Sequence, residues 1–180
     1  MIVSKLEEQN PQIDISASYA ISRKFGLAPD QKSFLFKLLQ SLLPTRERLC
    51  RVGKIDSPSC VFCQEEDTNH HLLSCPQSSE VAAPLLRCLG DHVLGQVTPQ
   101  KVVHLDITSY SNMELPLVWL VSTCLMLVWE QRQLGKVARL VQCQAELHAR
   151  LLILKHTRWK HYSLHNSALL LEEMIICIFS

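Results

Sequence analysis

Hydrophobic residues along this chain recur mostly at the spacing of amphipathic helices. After Pro29 and Asp30, five apolar residues fall on one helical face, namely Phe34, Leu35, Leu38, Leu39 and Leu42. Pro44 ends this stretch because proline lacks an N–H and clashes with the preceding turn. The pattern predicts helices over 13–25, 29–43, 45–52, 81–94, 116–130 and 131–160, followed by an apolar tail over 169–179.

Two stretches lack this periodicity. Residues 54–76 form a loop rich in cysteine, and residues 95–114 are polar and irregular, as expected of a connector. Glycine is scarce, with 5 residues in 180, which disfavours a sheet fold that needs many tight turns. We therefore expect a mainly α fold.

The longest apolar stretch, residues 115–129, is interrupted by Ser122 and Thr123. Its length of about 15 residues falls short of the roughly 20 that cross a bilayer, so it is predicted to be a core helix rather than a membrane anchor. The first ten residues carry acids and no apolar run, so we expect no secretory signal. An intracellular protein, in the nucleus or cytoplasm, keeps its thiols reduced, so the 8 cysteines should be buried thiols or metal ligands.

The cysteine-rich loop carries a metal-binding pattern. Cys60 and Cys63 are separated by two residues, and His70, His71 and Cys75 follow closely. Two thiolates at this spacing bind one metal from a tight turn, and a histidine and a third cysteine complete a tetrahedron. Four protein ligands with no open position suit one structural Zn²⁺. The predicted fold is thus a helical domain with a small zinc-stapled CCHC loop and a long C-terminal helical region.

Spacing alone leaves the histidine ligand open. If residues 69–75 form one continuous helix, His71 and Cys75 are four residues apart and share a face. If the helix frays before Cys75, which the proline at position 76 would favour, His70 reaches the metal instead.

Several neighbouring motifs accompany these ligands. They are Leu43-Pro44-Thr45-Arg46-Glu47-Arg48-Leu49, the Cys60/Cys63 pair, and Asp67-Thr68-Asn69-His70 leading to Cys75-Pro76. Together they resemble the zinc-binding segment near the C-terminus of non-LTR (LINE-type) retrotransposon reverse transcriptases. That family typically shows an acid-Thr-x-x-His-Leu stretch with a cysteine four residues beyond the histidine. Here a single residue separates Thr68 from His70, a departure from the pattern, yet the resemblance favours His70 over His71.

The helix pattern and the resemblance together predict four parts: an N-terminal helical arm (1–28), a zinc-binding domain (29–95), a connector (96–114) and a helical C-terminal region (115–180). The resemblance also implies a non-catalytic fragment or remnant of a polyprotein that assists RNA or DNA binding. The chain has no Tyr-x-Asp-Asp polymerase motif and no His-Glu-x-x-His hydrolase motif, so neither an enzyme nor a small-molecule substrate is expected.

Basic residues give two candidate surfaces for nucleic-acid phosphates. One set approaches the cysteine-rich loop, and the other recurs near helical spacing in the predicted helix 131–160. The candidates are Arg46, Arg48, Arg51 and Lys54 in the first set, and Arg132, Lys136, Arg139 and Arg150 in the second. The same pattern fits an ordinary solvated helix.

An alternative function is protein interaction or dimerisation without a nucleic-acid role. Residues recur at alternating spacings of three and four, as in a coiled-coil seam with Gln144 as its polar break, over Val137, Leu140, Gln144, Leu147, Leu151 and Leu154. We expect this seam to pack inside the molecule, on the helix 116–130. If it is exposed instead, it would support self-association through helices.

Overall fold

The computed structural model describes residues 27–92, 96–106, 114–157 and 165–179. The predicted helix 13–25, and all of the N-terminal arm except residues 27 and 28, lie outside them. The helices are α1 (Pro29–Leu39), α2 (Arg46–Arg51), α3 (His71–Ser74), α4 (Ser79–His92), α5 (Pro99–Val103), α6 (Glu114–Gln133), α7 (Leu140–Thr157) and α8 (His165–Phe179). No strand occurs in the described ranges, where a single bridge pairs Ser59 with Glu66. The prediction of a mainly α fold is confirmed.

Helix α6 lies at the centre of the hydrophobic core. Every residue from Leu117 to Val128 is buried, and α1, α3, α4, α7 and α8 all pack against it. A helix that is apolar around its whole circumference requires such surroundings, because no face of it is suited to water. The described residues include no helix long and apolar enough to span a membrane.

The polar residues that interrupt the apolar run of α6 are satisfied inside the core. Ser122 and Thr123 donate their hydroxyls to the carbonyl of Trp119, at 2.9 and 2.7 Å. The amide of Gln31, on α1, donates to Thr123 Oγ1 at 2.7 Å, and its oxygen accepts from the Ala28 N–H. This chain of bonds fixes α1 on α6, because buried polar groups are costly when they lack partners.

The apolar C-terminal tail forms α8 and completes the core. Leu171, Met174, Ile175 and Ile178 are buried, and α8 packs against α4, α6 and α7. The resulting core draws residues from Leu27 to Ile178, so it joins the predicted ranges 29–95 and 115–180.

The predicted connector 96–114 contains a helix, so the expectation of an irregular segment is wrong there. Thr98 caps α5 by accepting from the Lys101 N–H at 3.2 Å. Val102, Val103 and Leu105 are buried in the core next to α3. The stretch was missed because a five-residue helix is too short to show a periodic pattern.

The predicted basic helix 131–160 is not continuous. Helix α6 extends to Gln133, and α7 begins only at Leu140. Gly135 adopts a φ of 64°, and the Lys136 N–H bonds to the carbonyl of Gln131, which closes the end of α6. This is the usual role of a glycine just beyond a helix C-terminus, where a side chain would be strained.

Candidate metal centre

The segment that carries Cys60 and Cys63 is a tight turn held by backbone hydrogen bonds. The Cys60 N–H donates to the Glu65 carbonyl at 2.6 Å, and the Gln64 N–H donates to the Cys60 carbonyl at 3.0 Å. The Phe62 N–H points at Cys60 Sγ, 3.4 Å away. The turn therefore directs Cys60 and Cys63 to one side and supplies an N–H to a thiolate.

The other two donors come from helix α3 and its end. His71 is the first residue of α3, and Cys75 caps its C-terminus with an extended backbone, followed by Pro76. Four residues separate His71 from Cys75, and their backbones are joined by a bond from the Cys75 N–H to the His71 carbonyl, 3.0 Å. Because side chains four residues apart share a helical face, both point at the cysteine turn.

The four donor atoms lie within 4.8 Å of one another. Cys75 Sγ lies 4.0 Å from Cys60 Sγ and 3.9 Å from Cys63 Sγ, while His71 Nε2 lies 3.1 Å from Cys63 Sγ. With Zn–S bonds of about 2.3 Å, a tetrahedral zinc separates two sulfurs by about 3.8 Å and a sulfur from a nitrogen by about 3.5 Å. The residues present thus fit one zinc ion, and their separations are far too long for a disulfide of about 2.05 Å.

The structure places His71, not His70, among the thiols, so the preference for His70 is wrong for this cluster. The His70 ring stands 5.0 Å, between centroids, from that of His104. The continuous short helix explains the difference, since it aligns residue 71 rather than 70 with Cys75. The sequence carried this signal: two residues separate Thr68 from His71, as in the family pattern, and Cys75 lies four beyond it.

The surroundings shift the pKa values of the donor residues in different directions. Burial alone would raise the pKa of Cys60, but the N–H groups of Phe62 and Cys63 and the nearby Arg132 charge lower it overall. Burial raises the pKa of Cys75 to about 11, so without metal this group is a thiol at neutral pH. Burial also lowers the pKa of His71, which leaves a neutral imidazole free to donate its lone pair.

Groups around the donors complete the centre. His71 Nδ1 lies 3.7 Å from Glu65 Oε2, which is too long for a hydrogen bond but brings a carboxylate charge close to the ring. Arg132, near the end of α6, donates to Cys60 Sγ at 3.0 Å and pairs with Asp67 Oδ1 at 2.6 Å. Arg132 is therefore engaged at the metal centre and its side chain is buried, so its predicted role as a phosphate contact is wrong.

Two further basic candidates hold the loop rather than face solvent. Arg46 donates through Nε to the carbonyl of Ser59 at 2.6 Å and through Nη2 to that of Ser57 at 3.3 Å. Arg48 donates to the Ser41 carbonyl at 2.6 Å. Both side chains are half-buried, so they stabilise the approach to the cysteine turn.

The second candidate surface does not lie on one helix. Arg132 belongs to α6 and Arg150 to α7, while Lys136 and Arg139 occupy the turn between them. Arg150 is half-buried and pairs with Asp30 at 3.1 Å and with Glu146 at 2.8 Å. Of the eight candidate residues, those whose side chains are exposed are Arg51, Lys54, Lys136 and Arg139. Within that set Arg51 pairs with a glutamate on its own helix, and Arg139 pairs with Glu80.

The predicted coiled-coil seam supplies core residues. Leu147 and Leu151 are buried, and α7 packs against α6. The expectation that the seam packs inside the molecule holds for these two residues, and the side chain of Leu154 lies outside the described ones.

Residues 6–81 match the family described as zinc-binding in reverse transcriptase. The matched segment contains all four donors of the cluster and covers less than half of the chain. The resemblance inferred from the sequence is confirmed for this segment. No curated protein and no solved structure matches the chain significantly.

Proposed function

We propose that the segment matching the reverse-transcriptase zinc-binding family is a structural, non-catalytic module of a retrotransposon polyprotein, as a fragment or remnant, and that it assists binding of RNA or DNA. One observation carries the proposal: Cys60, Cys63, His71 and Cys75 converge within this segment as a closed donor set.

The donor set supports a structural role. A catalytic zinc keeps one position for water or substrate, whereas four protein donors fill a tetrahedron. Zinc bound here would fasten the cysteine turn to α3 and supply rigidity rather than an activated water. Thiolate ligands also require a reducing environment, which favours an intracellular location in the nucleus or cytoplasm.

The exposed lysines support the nucleic-acid role. Lys54 and Lys136 each follow a glycine with positive φ, Gly53 at 70° and Gly135 at 64°, that closes a helix. Each lysine N–H bonds back into the last turn of its helix, so the backbone that carries the ammonium group is fixed. Charges of this kind neutralise phosphates with little dependence on base sequence.

Fluorescence anisotropy of labelled single-stranded RNA and duplex DNA tests this role. We expect binding by the zinc-loaded chain to weaken steeply between about 50 and 200 mM salt. The double variant Lys54→Glu/Lys136→Glu should bind more weakly and lower the slope of log K against log salt by about two. The matched control is Lys32→Glu/Lys37→Glu, on exposed positions of α1, which should change binding less. No binding by the wild-type chain, or equal losses in both variants, would contradict the role.

A second candidate function is helix-mediated protein interaction, supported by exposed apolar residues on α7. Val141, Leu152 and Ile153 are 75%, 57% and 60% exposed, outside the buried seam. Sedimentation at several protein concentrations distinguishes this candidate. Self-association that resists salt and is lost in Val141→Ser/Leu152→Ser would favour it over phosphate binding.

A further inference from the structure

Helix α6 contributes a side chain to the metal centre from outside the matched segment. Arg132 lies 72 positions after Cys60 in sequence, yet its Nη2 is 3.0 Å from Cys60 Sγ. The same nitrogen pairs with Asp67 Oδ1 at 2.6 Å, and Nη1 donates to the His71 carbonyl at 3.4 Å. One guanidinium thus contacts a donor residue of the cysteine turn, the helix that carries the histidine, and the aspartate between them.

Arg132 is held in this position by a fixed acceptor. Asp67 Oδ2 accepts from the Arg46 N–H at 3.0 Å, and the Asp67 N–H donates to the Pro58 carbonyl at 3.0 Å. The Arg132 and Asp67 side chains are only 8% and 7% exposed. The buried ion pair therefore keeps the guanidinium next to Cys60 Sγ.

The charge of the centre explains why such a group is needed. Three thiolates, a neutral imidazole and Zn²⁺ sum to one negative charge at a largely buried position. Burying an uncompensated charge is costly, and an N–H donor on a thiolate both offsets the charge and orients the ligand.

We propose that Arg132 is a positioning residue of the metal centre, which holds the Cys60 thiolate in ligand geometry, so that zinc retention by this chain depends on α6. The proposal rests on the zinc site of the proposed function. It adds a residue outside 6–81 to the metal centre, so that Arg132 connects the zinc site to α6.

Zinc release to a chromogenic chelator measures this dependence in the full chain. We expect Arg132→Gln to release zinc about 10-fold to 100-fold faster than wild type, in the range found for groups that orient metal ligands. Arg132→Lys, which keeps the charge but not the fork, should be intermediate. The matched control is Arg139→Gln, at an exposed arginine seven residues further on that also forms an ion pair, in its case with Glu80.

Testing Arg132→Gln in a chain that also carries Asp67→Asn distinguishes an effect on the Cys60 ligand from the loss of the Arg132–Asp67 ion pair. Arg132→Gln leaves Asp67 buried without its cation, which alone destabilises the fold. Asp67→Asn removes that charge and keeps an oxygen acceptor, so it should speed release less than Arg132→Gln. Adding Arg132→Gln to Asp67→Asn should then accelerate release again.

The outcomes are distinct. Absence of zinc from the folded wild-type chain would reject the proposed function itself. One zinc in wild type, released at the same rate from Arg132→Gln, Arg132→Lys and the double variant, would overturn the role of Arg132 alone. If Arg132→Gln fails to fold, the comparison of Arg132→Lys with wild type still decides between the two results.

Discussion

His70 and His71 are neighbours in sequence, but their rings meet different surroundings. His71 Nε2 faces the thiols, whereas the His70 ring faces His104. Both ring nitrogens of His104, and Nδ1 of His70, are buried without a hydrogen-bond partner among the described protein atoms. Burial and the neighbouring His70 lower the pKa of His104 to about 4.

His104 should make the fold sensitive to acid. Its pKa is about 4 in the folded chain against 6.5 for an unperturbed histidine, so the unfolded chain binds more protons between these values. The free energy of unfolding from this group is fully present above about pH 6.5 and is lost as pH falls towards 4. The shift corresponds to an effect on the order of 3 kcal/mol. In urea unfolding, His104→Phe should lose less stability than wild type between pH 7 and 5.

The exposed His148 provides the control for this experiment. His148→Phe makes the same replacement at an exposed position of α7, so it should follow the wild-type dependence. Protonation of the metal donors affects all three proteins alike, so the comparison isolates His104. Parallel pH profiles for His104→Phe and wild type would refute the assignment.

Individual residues of the site differ in how far the sequence predicted them. Cys60 and Cys63 follow from their spacing, since two thiols separated by two residues in a turn converge on one metal, and Cys75 follows from its place shortly after the two histidines. The spacing from Thr68 to His71 and from His71 to Cys75 carried a signal for the histidine, but the proline at position 76 did not show whether the helix continues to Cys75. The role of Arg132 was beyond reach, because contact with Cys60 arises only when α6 packs beside the loop.

The short helix α2 helps to position the cysteine turn. Helix α2 has six residues and no buried side chain, so its stability depends on its ends. Thr45 Oγ1 accepts from the Arg48 N–H at 3.3 Å, and Asp67 accepts from the Arg46 N–H. Because Arg46 binds the loop carbonyls, the cap of α2 supports the cysteine turn.

Removing this cap should destabilise the chain. Thr45→Ala is expected to lower the free energy of unfolding by about 1 kcal/mol, because an N–H of the first turn loses its acceptor. Thr45→Ser keeps the hydroxyl and should retain most of the stability. Chemical unfolding of the two variants beside wild type measures the difference, and equal stability of Thr45→Ala and wild type would argue against the cap.

Element boundaries followed the sequence where proline, glycine and capping residues mark them. Pro29 and Thr45 begin helices, and Gly53 ends one, as the pattern predicts. Gly135 also marks the end of a helix, but the recurring basic residues around it led to the prediction of one continuous helix over 131–160. Helix α5 carries the same start signals, Thr98 as its cap and Pro99 as its first residue, but five residues are too few to show a helical period.

Helix α6 takes part in both the hydrophobic core and the candidate metal centre of the described residues. Its apolar length is surrounded by the other helices, and Arg132 near its C-terminal end reaches the cysteine loop. Loss of the metal should therefore weaken more than the loop. A folded state that binds zinc is stabilised by mass action when the unfolded chain binds it less.

Thermal unfolding at graded free zinc checks this coupling. At about 100 times the dissociation constant, zinc should stabilise the folded chain by about 2.7 kcal/mol and raise the midpoint accordingly. Chelation should reverse the rise. Cys60→Ser lacks one donor, so its midpoint should respond little to zinc. A wild-type midpoint that is independent of zinc would indicate that the cluster does not bind metal in the folded state.

Native mass spectrometry of the purified chain tests the central claim most directly, with Cys60→Ser, His71→Ala and His70→Ala beside it. We predict one zinc per wild-type chain, lost in Cys60→Ser and His71→Ala and retained in His70→Ala. A folded wild-type chain without zinc would contradict the structural metal centre. Zinc kept in His71→Ala but lost in His70→Ala would contradict the ligand geometry described for α3.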